Sequence, residues 1–170
     1  MEEAELEQTI NIEKLGYKFL DKPVIFGGLA MEYYGLRKHG DDVDFIVTNR
    51  DYQKLKAQFP HNRKDIWGDF GIQVNGFELF RSVYRLDHAH YSLGAIELRH
   101  YYVVSIDMLF RMKAFALGVA PKHDADFQLL KSYYQRFENP EYRDYLQRHI
   151  ERYTSSPDGI FVGISYDDAD

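Results

Sequence analysis

Asp42 and Asp44 flank a single valine at the head of the apolar run "DVDFIV". In a strand, successive side chains alternate between faces, so both carboxylates would point one way while Val43 and Phe45 point into a core. Two like charges side by side on such a strand cost free energy unless a cation lies between them. A hard divalent ion such as Mg²⁺ fits that need, because it takes oxygen ligands and is commonly held by one or two carboxylates completed by water and phosphate. A second feature lies upstream, in "VIFGGLA", where Gly27 and Gly28 end an apolar strand abruptly and open a helix. A strand-to-helix turn that lacks Cβ atoms lets backbone N–H groups approach a polyphosphate closely. The two halves of residues 26–47 would then hold the two halves of a metal nucleotide.

The elements that position these groups follow from pattern. Leu6, Ile10 and Leu15 are spaced for an N-terminal helix, with acids at its start and a break near Asn11. "VIF" is a short strand, "LAMEYYGL" a helix, and "DVDFIV" the next strand. "TNRDYQKLKAQF" reads as a helix capped by Thr48 or Asn49, with Tyr52, Leu55 and Phe59 on one face and Pro60 as its stop. In "GIQVNGFELFRSVY", Asn75-Gly76 supplies the positive φ angles of a tight type I′ turn between two alternating runs, which predicts an antiparallel hairpin. "RLDHAHYSLG" reads as a loop, and "AIELRHYYVVS" as one bent strand or two short ones. Ser105 caps a helix over "IDMLFRMKAFALG"; two more helices, "HDADFQLLKSYYQRF" and "PEYRDYLQRHIERYT", precede a tail with a short strand at "IFVGI". Helices and strands are mixed with a hairpin inside, which predicts an α+β fold: a small mixed sheet with flanking helices. The organisation expected is a single domain, with a core over 1–105, C-terminal helices over 106–155 packed on it, and a tail over 156–170.

Bulk properties narrow the function classes. A length of 170 residues with 45% hydrophobic and 16% aromatic content suits one compact core rather than a disordered chain. The formal charge of −6 disfavours nonspecific binding along a nucleic-acid backbone. There is no cysteine for a disulfide or a thiolate metal site. No signal-like start and no apolar run of about 20 residues is present, so a cytoplasmic protein without a membrane partner is expected.

The order "VIFGGLAMEYYGLRKHGDDVDFIV" closely resembles the signature of the nucleotidyltransferase superfamily, the DNA polymerase beta-like palm, and the likeness covers most of the chain. Arg37 and the stretch "SIDMLFRMKAFALGVAPKHDADFQLL" are similar to the minimal and toxin-type branches, Lys113 and Asp126 matching and His123 standing where Arg or Lys is more usual. The resemblance implies a small mixed sheet of the nucleotidyltransferase type. It also implies a metal-dependent transfer of a nucleoside monophosphate from a triphosphate, ATP being the expected one, to a hydroxyl of a small molecule, a protein or a tRNA end. Under it Asp42 and Asp44 hold Mg²⁺ or Mn²⁺, and Gly27 and Gly28 cradle the triphosphate. Arg37 and Lys113 neutralise the leaving group, and a toxin–antitoxin setting with a protein partner becomes an expectation. A third carboxylate is also implied, and Glu78 in "GFELF" is the candidate, since Phe77 and Leu79 flank it as Val43 and Phe45 flank Asp44. Asp87 and Glu97 stand in reserve for a different register. Three alternatives stay open: Lys113 as a helix residue paired with a local acid, a noncatalytic module that binds nucleotide or protein, and structural aspartates in an unrelated fold. Zinc at Asp87, His88 and His90 lacks a fourth ligand nearby, and Tyr134, Phe137, Tyr142, Tyr145 and Leu146 read as helix packing.

Overall fold

The computed structural model describes residues 1–66 and 69–136. Within them the chain forms two compact units, one on Met1–Ser105 and one beginning at Ile106. The expected helix around "PEYRDYL", the aromatic positions from Tyr134 onward and the strand at "IFVGI" lie outside the residues or side chains described.

The first unit is α+β. Helix α1 (Glu3–Ile10) ends where Asn11 turns left-handed at φ 46°, and a 3₁₀ turn over Ile12–Leu15 follows, so Leu6, Ile10 and Leu15 are all buried. Strand β1 (Val24–Ile25) leads into α2 (Gly27–Tyr33), which takes both glycines into its first turn instead of starting after them. Strand β2 (Val43–Ile46) is followed by α3 (Asn49–Gln58), whose N-cap is Thr48. The Thr48 hydroxyl accepts from the Asp51 N–H, and Asp51 itself is fully buried. Its carboxylate accepts from Tyr17 Oη at 2.7 Å, from the N–H groups of Leu20 and Asp21, and from Thr48 Oγ1. A buried charge is tolerable only with that many donors.

Strands β3 (Arg63–Ile66), β4 (Asp69–Val74) and β5 (Phe77–Phe80) form an antiparallel meander, β4 and β5 joined by Asn75-Gly76 with φ 51° and 84°. Both positive angles are those a type I′ turn requires. A separate ribbon, β6 (Ser82–Val83) and β7 (Leu86–Asp87), precedes helix α4 (His88–Ser92). That helix replaces the loop expected over "RLDHAHYSLG": Asp87 caps it by accepting from the His90 N–H, and Tyr91 is fully buried. The "AIELRHYYVVS" stretch is two short strands, β8 (Ile96–Glu97) and β9 (Tyr102–Val103). Seven strands make one mixed sheet in the order β3-β4-β5-β2-β1-β9-β8, with β2/β5 and β1/β9 parallel and the other pairs antiparallel. One face of its centre carries an aromatic cluster. Phe45 stacks on Tyr101 at 5.7 Å and on Phe77 at 6.2 Å, and Phe19 meets it edge-on.

The β6–β7 ribbon turns through Tyr84 and Arg85, both at positive φ (49° and 65°) without glycine. Such a turn needs support, and Asp69 supplies it. Its buried carboxylate accepts from the Tyr84 N–H at 2.7 Å, the Arg85 N–H at 3.3 Å and the Ser82 hydroxyl at 3.3 Å. Burial raises the Asp69 carboxyl above its ordinary value of 3.8, although these donors pull the other way. Between 3.8 and that raised value the folded protein therefore binds more protons than the unfolded chain, and stability falls as pH rises through the window. Urea midpoints of wild type and Asp69→Asn, compared between about pH 3.5 and 7, should show the wild type losing ground to the variant as pH rises. A difference that does not change with pH would remove the burial account.

The second unit begins with α5 (Ile106–Phe115), and α6 (Pro121–Arg136) packs on it. Phe110 and Phe127 meet at 5.0 Å, and Leu109 and Leu130 are fully buried. Gly118 sits between the helices at φ 77°, and its N–H donates to Asp124 Oδ1. Pro121 takes the first helical position, where its missing N–H costs nothing.

Candidate metal and nucleotide site

Asp42 directly precedes β2, and Asp44 is its second residue. Val43 and Phe45 are buried on the core side, so both carboxylates turn to the opposite face. Parallel pairing then sets Val43 beside Phe77, Asp44 beside Glu78 and Phe45 beside Leu79. The flanking pattern noted in the sequence thus becomes a register, with Asp44 and Glu78 on neighbouring strands of one face. One carboxylate oxygen each from Asp42, Asp44 and Glu78 lie within 4.8 Å of one another. Among the described residues this is the only grouping of three or more potential metal ligands.

Three carboxylate oxygens are the hard donors that Mg²⁺ or Mn²⁺ prefers. Ligands at about 2.1 Å from one ion lie at most about 4.2 Å apart. Three oxygens within 4.8 Å of one another are on the scale of such a set, and side-chain rotation can adjust them onto one ion. The donor set fits a divalent cation.

Gly27 is part of the same arrangement. It sits at φ 62°, and a Cβ built on it would come 1.9 Å from Asp44 Oδ2. Its first role is to make room for the second aspartate. Gly28 differs: a Cβ there would meet only ordinary contacts, 3.5 Å from the Gly40 nitrogen and 3.6 Å from Arg37 Nη1. Gly28, Arg37 and Gly40 therefore gather beside the turn, with Gly40 tight against Asp42, where a Cβ would lie 3.2 Å from Oδ1.

Residues 37–40 are held by a residue that the sequence reading did not single out. Glu32 on α2 is buried, accepts from Lys38 Nζ at 2.6 Å and from the His39 N–H at 2.8 Å, and has His39 Nε2 at 3.8 Å. Lys38 and the His39 N–H hold its carboxyl below the usual range. Arg37 Nη1 donates to the Lys38 carbonyl at 2.7 Å. A staple from α2 thereby fixes the segment that delivers Asp42. Lys64 is also new: it ion-pairs with Glu78 Oε1, and Gln73 Nε2 donates to the same oxygen at 3.2 Å.

The remaining sequence candidates have partners of their own. Asp87 pairs with His90 Nδ1 at 2.7 Å, His88 Nε2 meets the Lys22 carbonyl, and Glu97 pairs with Lys22 at 2.6 Å. Each has a structural partner away from the acidic group. In the second unit Lys113 is buried against Asp126 at 2.7 Å, so its charge is compensated within that unit. His123 nearby is pushed below the ordinary imidazole range, first by burial and then by Lys113. No helix among the described residues is long and apolar enough to cross a membrane. Compared with family models, curated proteins and solved structures, the chain finds no match in any of the three.

Proposed function

We propose that this protein is a metal-dependent nucleotidyltransferase that moves a nucleoside monophosphate from a nucleoside triphosphate to a hydroxyl acceptor. The observation that carries the reading is the register that sets Glu78 beside Asp44 on the face that also carries Asp42, with ligand oxygens within 4.8 Å. Three acids gathered on one face at the heads of two neighbouring strands, with a glycine opened against one of them, make a costly arrangement that a cation repays.

In the reaction the acceptor oxygen forms a bond to the α-phosphorus, the bond from that phosphorus to the bridging oxygen breaks, and pyrophosphate leaves with the electron pair. The acceptor proton passes to solvent. A bound divalent ion would supply charge neutralisation on the phosphates and lower the pKa of the acceptor hydroxyl. The chain's part is positional. Asp42, Asp44 and Glu78 would hold the metal, Gly28 would offer its backbone N–H to a phosphate with no side chain of its own in the way, and Arg37 lies beside that turn with a permanent positive charge. Glu32 keeps residues 37–40, and so Asp42, in place. ATP is the nucleotide to try first, and the acceptor is a small molecule, a protein hydroxyl or a tRNA end. A toxin–antitoxin pairing would supply a protein partner.

The test is titration calorimetry of ATP, GTP, CTP and UTP with Mg²⁺ or Mn²⁺ and then with EDTA. Binding should require the ion, because carboxylates repel a bare triphosphate. Equal affinity with and without metal would overturn the reading.

A further inference from the structure

Lys64 lies on β3, one of the two edge strands of the sheet, and reaches the acidic group through register. Gln73 pairs with Glu78, and Lys64 pairs with Gly71, two residues before Gln73, so all four share the face that carries Asp44. Gly71 leaves that row bare, since a Cβ there would lie 2.7 Å from the Phe80 ring and 2.9 Å from the Lys64 carbonyl. The Lys64 ammonium sits on Glu78 Oε1 with its side chain 29% exposed and that of Glu78 11% exposed. We propose that Lys64 is the resident counter-cation of this site: it balances Glu78 in the metal-free protein and gives that carboxylate up when a divalent ion binds.

This inference rests on the metal reading above. Three carboxylates this close would repel one another with no cation among them, and an ammonium on the most buried of them offsets part of that cost. Lysine suits exchange, being a compact point charge on a flexible stem rather than a planar fork locked in two-point contact. Lys64 and the metal then compete for one carboxylate, and Gln73, which donates to the same oxygen, keeps Glu78 aimed while the partners change. Lys64 is a positioning residue whose removal should strengthen metal binding, the opposite of what a mere tether would do.

Mn²⁺ alone is the probe, titrated into the full chain and followed by the loss of the free-ion electron paramagnetic resonance signal. Lys64→Met should bind Mn²⁺ tighter than wild type by on the order of tenfold, the scale on which outer partners of metal ligands change affinity. Lys64→Gln, which keeps a donor for Glu78 while removing the charge, should do the same and stands in if the methionine variant fails to fold. In a Glu78→Gln background the gain should vanish. Unchanged or weaker Mn²⁺ binding by folded Lys64 variants would overturn the counter-cation and leave the metal reading standing. Absence of Mn²⁺ binding by the wild type would overturn both.

Discussion

Under the proposed function, Asp44→Asn is expected to lower nucleotidyl transfer by orders of magnitude while leaving the fold in place. The substitution keeps the shape of the side chain that fills the space over Gly27 and removes the charge by which Asp44 would hold a metal under the proposed function. It also relieves repulsion with Asp42 and Glu78. Losing one preorganised charge-stabilising group costs roughly 10²–10³-fold in rate, or about 2.7–4 kcal/mol of transition-state stabilisation. The measurement sets urea midpoints beside incorporation from α-labelled triphosphates offered with whole-cell extract. If Asp44 instead served a buried hydrogen bond, the variant would lose about 1–3 kcal/mol of stability. A destabilised variant that labels as well as wild type would sink the catalytic role. Metal-dependent nucleotide binding by a wild type that labels nothing would favour the noncatalytic module.

The neighbouring glycines should respond in opposite ways to alanine. Gly27→Ala places a Cβ 1.9 Å from Asp44 Oδ2 at a φ of 62°. The left-handed backbone alone costs about 1–2 kcal/mol for a residue with a side chain, and relieving the overlap adds about 1–3 kcal/mol. A loss of roughly 2–5 kcal/mol is expected, with metal binding lost as Asp44 is pushed aside. Gly28→Ala has room and no positive φ, so it should gain about 0.4–1 kcal/mol by narrowing the unfolded ensemble. If backbone N–H groups at that turn meet a phosphate, the same methyl weakens nucleotide binding. Thermal unfolding and triphosphate titration on both variants decide the matter. A Gly28→Ala protein that is more stable and binds ATP as well as wild type would leave the turn without a phosphate.

These contrasts mark how far the sequence alone reaches. The spacing of Asp42 and Asp44 predicted a shared face because strand alternation is local, and Asn75-Gly76 announced its turn because only a few residues tolerate both positive φ angles. That a third carboxylate should stand on a neighbouring strand came from the family resemblance, and local pattern named Glu78 only by its flanking Phe77 and Leu79; the parallel pairing of β2 with β5 is non-local and has no local signal. Strand β3 was silent: "RKDI" carries three charges in four residues, as an edge strand can, and offers no alternating pattern. Lys64 was hidden with it, since its partner is settled by two successive strand pairings. The loop expected at "RLDHAHYSLG" missed a helix of five residues with a single buried side chain, too short for periodicity to register. Glu32 read as one acid on a helix because its partners come from the turn after that helix.

The parallel pairing of β2 with β5 also bears on how the chain folds. A parallel neighbour cannot be reached by a tight turn, and here the path between the strands runs through α3, β3 and β4. Asp44 and Glu78 therefore become neighbours only after that excursion has closed, a non-local step of the kind that slows folding. The nascent chain carries Asp42 and Asp44 as a two-carboxylate fragment, and Glu78, the third carboxylate of the proposed site, arrives with the β4–β5 hairpin. An ion that needs all three carboxylates cannot guide the early chain; it can only lock a sheet already zipped, acting on the rate of unfolding more than on the rate of folding.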